Sequence, residues 1–200
     1  MKKAKESEFG RSLFHIASGL TIVLIYGLTK IARNHALMIL GGIALFFLLG
    51  DIFRHFIPAL AEVTARVFGV IMREKERKRP AASSYYVAGC WIAIFLFSRE
   101  VACICILHLV VCDSLAKVLR KFSLHQRSFL HKLKIISANF LASFLISLFV
   151  LKATSTTYLL FPSLLGAVGA TLGELVPEVD NFTIPIFSGI LLTAGLFLVS

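Results

Sequence analysis

Several signatures that would point to a soluble enzyme are missing from this sequence. Its four cysteines, Cys90, Cys103, Cys105 and Cys112, lack the paired spacing of structural zinc sites and fall in or at the ends of apolar runs, so they read as small packing residues. The histidines, His15, His35, His55, His108, His125 and His131, include no H-E-x-x-H pattern, and no Ser-centred nucleophile motif occurs. The basic opening MKKAKESEFGRSLFH is followed by no A-x-A-like site, which argues against a cleaved secretory signal. Met1 to Arg11 is expected to be a retained cytoplasmic tail before a first membrane helix. Without internal repeats, low-complexity tracts or a visible boundary, residues 1–200 read as one integral membrane domain.

What is present is apolar bulk. Hydrophobic residues make up 58% of the chain and mean hydropathy is +0.85, well above the roughly 45–50% apolar usage of soluble domains. Apolar runs at Phe14 to Leu28, Ala36 to Gly50, Tyr86 to Ser98, Val101 to Leu119, Ile136 to Leu151, Tyr158 to Leu172 and Thr183 to Val199 predict about seven membrane helices. The fold class is therefore all-α, a polytopic transmembrane bundle. The 18 phenylalanines read as lipid-facing bulk. Ile52 to Met72 is amphipathic, with Arg54, Glu62 and Arg66 among Phe53, Phe56, Ile57, Leu60, Val63, Val67 and Phe68, and predicts one further helix lying in the interface. The charged run REKERKRP after it reads as a solvated loop.

The net charge of +10 does not imply nucleic acid, because the basic residues cluster between apolar runs, where they anchor a membrane protein to anionic headgroups. With the amino terminus inside, 17 of the 21 Lys and Arg fall on inner segments; Lys30, Arg33, Arg99 and Lys152 are outside. That places the carboxy terminus outside.

Acidic residues make a sharper statement. Asp51, Asp113, Glu174, Glu178 and Asp180 lie at or beside inner helix ends, whereas Glu100 lies outside. A carboxylate at membrane depth costs about 2.5–3.5 kcal/mol on insertion scales, so it faces a polar cavity, a partner or a metal. For Asp113 the structural alternative is an i,i+4 pair with Lys117. The loop GELVPEVDNFTIP supplies Glu174, Asp180 and Asn181, and Pro177 and Pro185 are expected to stop either flanking helix from running through. Carboxylates beside many cations at one membrane face suit a magnesium-bound polyphosphate, and equally an ion or proton transporter. His15 stands four residues after Arg11 on one helix face.

These elements, in this order, resemble a family of CTP-using membrane enzymes: dolichol kinase, phytol kinase and CTP-dependent diacylglycerol kinase, with phosphatidate cytidylyltransferase a more remote relative. The segment GELVPEVDNFTIPIFSG is similar to the family's carboxy-terminal acidic and Asp-Asn-x-x-x-Pro motif, matched by Glu174, Asp180, Asn181, Pro185 and Gly189. RSLFHIASG resembles its basic-x-x-x-His opening, with Arg11 and His15; Asp51 and Arg54 followed by MREKE match a further piece, and Asp113 matches the central Asp. Two positions depart. Leu119, Arg120, Lys121 and Phe122 stand where relatives carry a Gly-containing turn, and after the matching Lys134, Ser137 and Ala138 replace a Glu-Gly pair.

The resemblance implies transfer of the terminal phosphoryl group of CTP to a lipid alcohol at the cytoplasmic surface. It implies magnesium on Asp113, Glu174 and Asp180, triphosphate contacts from Arg120, Lys121 and Lys134, and Asn181 orienting the nucleotide or metal water. Asp113 is also a candidate to accept the hydroxyl proton. The competing readings are a cytidylyltransferase that makes CDP-diacylglycerol from phosphatidate, and a non-catalytic relative or small transporter. The lipid acceptor, the choice between CTP and ATP, and a homodimer are left open.

Overall fold

The computed structural model describes residues 2–29, 31–68, 81–121, 129–154, 158–176 and 179–199. Among these it contains eight helices and no strand: α1 (Lys2–Leu28), α2 (Arg33–Phe56), α3 (Pro58–Phe68), α4 (Ala82–Leu96), α5 (Arg99–Lys121), α6 (Phe129–Ala153), α7 (Leu160–Glu174) and α8 (Asp180–Val199). Five of them, α1, α2, α5, α6 and α8, contain stretches long and apolar enough to cross a membrane; α4 and α7 are apolar but shorter. The protein is thus an all-α helical bundle of membrane type, with large apolar side chains such as Phe46, Leu141, Phe149 and Phe197 on its outer faces.

The expected interfacial helix is divided. Residues Ile52 to Phe56 complete α2, and the chain breaks at Ile57, which is extended (φ −118°, ψ 103°). Pro58 explains the break: its ring disfavours helical geometry in the residue before it, and its fixed φ suits the first position of α3. Among the described residues α3 packs chiefly against α2, leaving a short amphipathic rod with an exposed face. The expected residues from 69 to 72 lie outside the described residues, as do REKERKRP, Pro177 and Glu178.

Helix α5 runs through the middle of the bundle and touches α1, α4, α6, α7 and α8. Its Val101, Ala102, Ile104, Cys105, Ile106 and Leu109 are buried, and all four cysteines are buried and unbridged, in keeping with a packing role. The tightest helix pair is α7 against α8. A Cβ added to Gly169 would lie 2.3 Å from the carbonyl oxygen of Phe187, and one on Gly173 would lie 2.5 Å from the Cα of Ile184. Backbones approach this closely in apolar surroundings because dispersion between small residues, rather than expulsion of water, holds such helices together.

Pro185 does not stop a helix as expected. It sits inside α8, which already begins at Asp180. A proline near a helix start is tolerated because the donor it lacks is missed by only one carbonyl, here that of Asn181. That carbonyl packs on α4: a Cβ at Gly89 would lie 2.4 Å from it. The proline therefore lets α8 start at the acidic motif and brings Asn181 against α4, and Asn181 Nδ2 donates to the carbonyl of Ala82 at 3.3 Å.

Candidate active site at one end of the bundle

The alternating helix directions bring the end of α2, the start of α4, the end of α5, the end of α7 and the start of α8 to the same end as Arg11 and His15 of α1. His15 Nδ1 lies 2.9 Å from Asp113 Oδ2, and Lys117 Nζ, one turn further along α5, donates to the same oxygen. The Asp113 and Lys117 side chains are only 8% and 12% exposed. Their i,i+4 contact is therefore not the solvated pair worth a few tenths of a kcal/mol, but part of a buried three-residue cluster.

The His15 ring is fixed from two sides. It stacks on Tyr86 of α4 with centroids 4.2 Å apart and planes within 7°, and the Tyr86 hydroxyl donates to the His15 carbonyl at 2.7 Å. Gly19 permits this approach, since a Cβ there would lie 2.2 Å from Val110 Cγ2 and 2.4 Å from the Tyr86 hydroxyl. With Asp113 ionised, His15 Nδ1 carries the proton and donates it to the carboxylate. Nε2 of the neutral ring is then an acceptor, buried and without a hydrogen-bond partner.

Across the same end, Arg120 donates to Glu174 Oε1 at 2.9 Å, with the guanidinium side chain 52% exposed and the carboxylate 6%. Glu174 Oε2 is buried with no partner. Asp180 Oδ1 accepts the N–H of Asn181 at 2.9 Å, one of the donors that the start of α8 leaves without an intrahelical partner. Asp113, Glu174 and Asp180 are close enough for their charges to act on one another, and Arg11, buried on α1, acts on both His15 and Asp180. The three acids that the sequence singled out therefore share one end of the molecule.

A hard dication takes oxygen ligands. The described residues contain no group of three His, Cys, Asp or Glu side chains able to hold an ion by themselves, so the expected Asp113, Glu174 and Asp180 trio is not a closed cage. The unpartnered Glu174 Oε2 beside Asp180 does fit magnesium as it is usually bound, by one or two carboxylates with the remaining positions left to water and phosphate oxygens.

Other expected site residues are placed differently. Asp51 and Arg54 pair at 3.0 Å, and Asp51 also accepts the N–H of Ala81 at 2.8 Å and the Ser84 hydroxyl. A carboxylate on α2 thus caps the start of α4, and this pair fastens two helices together. Lys134 is exposed on α6, and the side chain of Lys121 lies outside the described residues. Ser137 is exposed and Ala138 half-buried. Sequence reading undervalued Lys117, whose i,i+4 spacing was visible but whose burial was not. It missed Tyr86, which nothing in the local sequence distinguishes.

Comparison with known proteins agrees with the motif resemblance. No family model matches the chain, and no solved structure matches it. The chain is 31% identical over 116 residues to the CTP-dependent diacylglycerol kinase 1 of Schizosaccharomyces pombe, covering 56% of this chain and 51% of that protein. It is 27% identical over 209 residues to the CTP-dependent diacylglycerol kinase 1 of Eremothecium gossypii, covering 92% of this chain and 65% of the other. The chain spans between about half and two thirds of the length of these curated relatives. Both matches agree with the resemblance read from the motifs: this chain is similar to two CTP-dependent diacylglycerol kinases.

Proposed function

We propose that this protein is a membrane-embedded CTP-dependent kinase that transfers the γ-phosphoryl group to the hydroxyl of a lipid alcohol of diacylglycerol or polyprenol type. The observation that carries the reading is the buried His15, Asp113 and Lys117 cluster within charge range of Glu174 and Asp180. It lies in a chain similar to two proteins named as diacylglycerol kinases that use CTP. The site end faces the cytoplasm together with the amino terminus, as the distribution of Lys and Arg favours. A water-borne nucleotide and a bilayer-borne acceptor meet there.

Phosphoryl transfer asks a protein mainly for positioning and for stabilisation of spread negative charge. Lys117, held in place by Asp113, and Arg11 and Arg120 supply positive charge to the triphosphate. Magnesium, with Glu174 and Asp180 as its protein ligands, would neutralise phosphate oxygens. As the bond from the γ-phosphorus to the acceptor oxygen forms, the bond to the β,γ-bridging oxygen breaks and CDP leaves. The hydroxyl proton passes to Nε2 of His15, and Asp113 balances the imidazolium charge. Asn181, tied to α4 through Ala82, orients the nucleotide or a metal-bound water.

The test uses membranes carrying the full chain, magnesium, and CTP labelled at either the α- or the γ-phosphorus, offered with diacylglycerol, a polyprenol and phosphatidate. Label entering a neutral lipid from the γ-position only is the expected result. Entry of the α-label into phosphatidate would make the protein a cytidylyltransferase, and transfer of neither label would leave a non-catalytic relative.

A further inference from the structure

Polar groups also line the seam between α5 and α6, leading away from the clustered charges toward the middle of the bundle. His108 Nε2 lies 2.9 Å from the carbonyl of Ser143 and 3.0 Å from the Ser147 hydroxyl, and Cys112 Sγ lies 3.2 Å from the Ser143 hydroxyl. The two helices run antiparallel, and His108 and Cys112 face Ser147 and Ser143 respectively. One turn further toward the charged end, the same register sets Ala116 opposite Asn139. Asn139 is fully buried, and neither its Nδ2 nor its Oδ1 has a hydrogen-bond partner. Asparagine between membrane helices ordinarily hydrogen-bonds across the interface. On α5 the facing position is an alanine, 1% exposed, which offers nothing. A buried amide with both its donor and its acceptor idle costs stability, which a natural sequence tolerates where a ligand supplies the missing partners.

Its position indicates which ligand. Ala116 lies three residues after Asp113 and four before Arg120, on the same strip of α5. The idle amide therefore borders the cluster in which the phosphoryl group is handled, on the flank formed by α6. The seam members His108, Cys112, Asn139, Ser143 and Ser147 include no lysine or arginine, and the carboxylates of Glu174 and Asp113 act on Cys112, so the seam disfavours a phosphate and suits an uncharged head that both donates and accepts hydrogen bonds. The opposite face of α6 carries Leu141, Leu145 and Phe149, exposed toward lipid.

We propose that Asn139 is a binding residue for the acceptor lipid, its amide holding the uncharged, oxygen-bearing head of the lipid alcohol at the α5–α6 seam beside Asp113. The proposal rests on the lipid-kinase reading above. It adds a residue on α6, where the family's Glu-Gly pair is replaced by Ser137 and Ala138.

Asn139→Leu tests it, because leucine keeps the branched heavy-atom skeleton and removes both idle polar atoms. If Asn139 only packs, that change is neutral or stabilising. The expected result is unchanged or raised thermal stability with a KM for diacylglycerol at least about 10-fold higher, a loss of about 1.4 kcal/mol of binding, and a KM for CTP within about 2-fold of wild type. An unchanged lipid KM, or a rise confined to CTP, overturns the proposal. A second measurement needs no turnover: a diacylglycerol bearing a diazirine at its glycerol end is photolysed in membranes containing the full chain. Label on the α6 segment around Asn139, weakened in Asn139→Leu, is expected; label confined to Leu141, Leu145 and Phe149 overturns the proposal. Should the wild type transfer no phosphoryl group yet label at Asn139, the kinase reading fails and the lipid site stands.

Discussion

The two ends of this bundle use arginine differently. At the end away from the acids, Arg33 Nε donates to the carbonyl of Ile94 at 2.9 Å and its NH2 group to that of Phe95. Arg99 donates to the carbonyls of Thr29 and Ile31 at 2.9 and 2.5 Å and sits 4.8 Å from the ring centroid of Tyr26. These carbonyls belong to the last turn of α4 and to the turn after α1, groups that a helix end leaves unsatisfied, so both cations complete the backbone. At the acidic end Arg120 and Lys117 meet carboxylates instead, and buried polar atoms of His15, Glu174 and Asn181 remain without partners. Among the described residues the first end leaves one buried side-chain atom, the Ser163 hydroxyl, without a partner. The other carries unfinished hydrogen bonding, the mark of a place where stability is subordinated to binding.

The strongest way to break this contrast is at Asp113. Asp113→Asn keeps the shape but removes the charge that orients His15 and Lys117. Transfer from CTP to lipid is expected to fall by about 10²–10⁴-fold, the range a positioned acid or base contributes, at unchanged protein abundance in the membrane. A rate within a few-fold of wild type would put the acidic end on the same structural footing as the other. Arg120→Gln is a milder probe. Its guanidinium is half exposed, but the Glu174 carboxylate it meets is only 6% exposed, so loss of the cation costs more than the about 0–1 kcal/mol of a fully exposed pair. Stability should fall modestly while the KM for CTP, read per folded molecule, rises by about 10-fold, roughly what loss of one charge-assisted contact gives. A KM change for lipid alone would move Arg120 out of the nucleotide's path.

How far the sequence reached follows the same division. Helix count and identity were legible because seven apolar runs and a one-sided distribution of Lys and Arg are one-dimensional signals. The division at Pro58 was written in the sequence as well, yet the amphipathic period ran through it and concealed the break. The acidic motif at Glu174, Asp180 and Asn181 was legible as a motif, but Pro185 was misread as a stop because nothing local reveals that Gly89 of α4 makes room for the Asn181 carbonyl. His15 was a weak signal beside Arg11. Its contact with Asp113 spans 98 positions in sequence, and stacking on Tyr86 adds a third helix. Asp51 and Arg54 carried a motif's appearance and serve as a clasp between α2 and α4. Charges announce themselves in a sequence; the neutral side chains that hold them, and the Asn139 amide that holds nothing, emerge only from helix register.

The smallest effect is expected at the more fully satisfied end, and it calibrates the other two. Arg99→Gln removes a charged donor from two carbonyls and a cation from the Tyr26 face, at a site that is partly exposed. Hydrogen bonds from charged groups contribute about 1.5–3 kcal/mol when buried, and exposure lowers this to about 1–2 kcal/mol here. For a chain of this size that is a fall of roughly 2–8 °C in the thermal midpoint, readable in detergent by loss of the folded fraction on heating. Activity per folded molecule should stay at the wild-type level, with the KM for CTP and the KM for lipid both unmoved, because Arg99 lies on α5 fourteen residues, or about 21 Å of helix rise, from Asp113. A KM shift in Arg99→Gln would mean that the turn after α1 transmits to His15 through that helix, and that the two ends are a single coupled device.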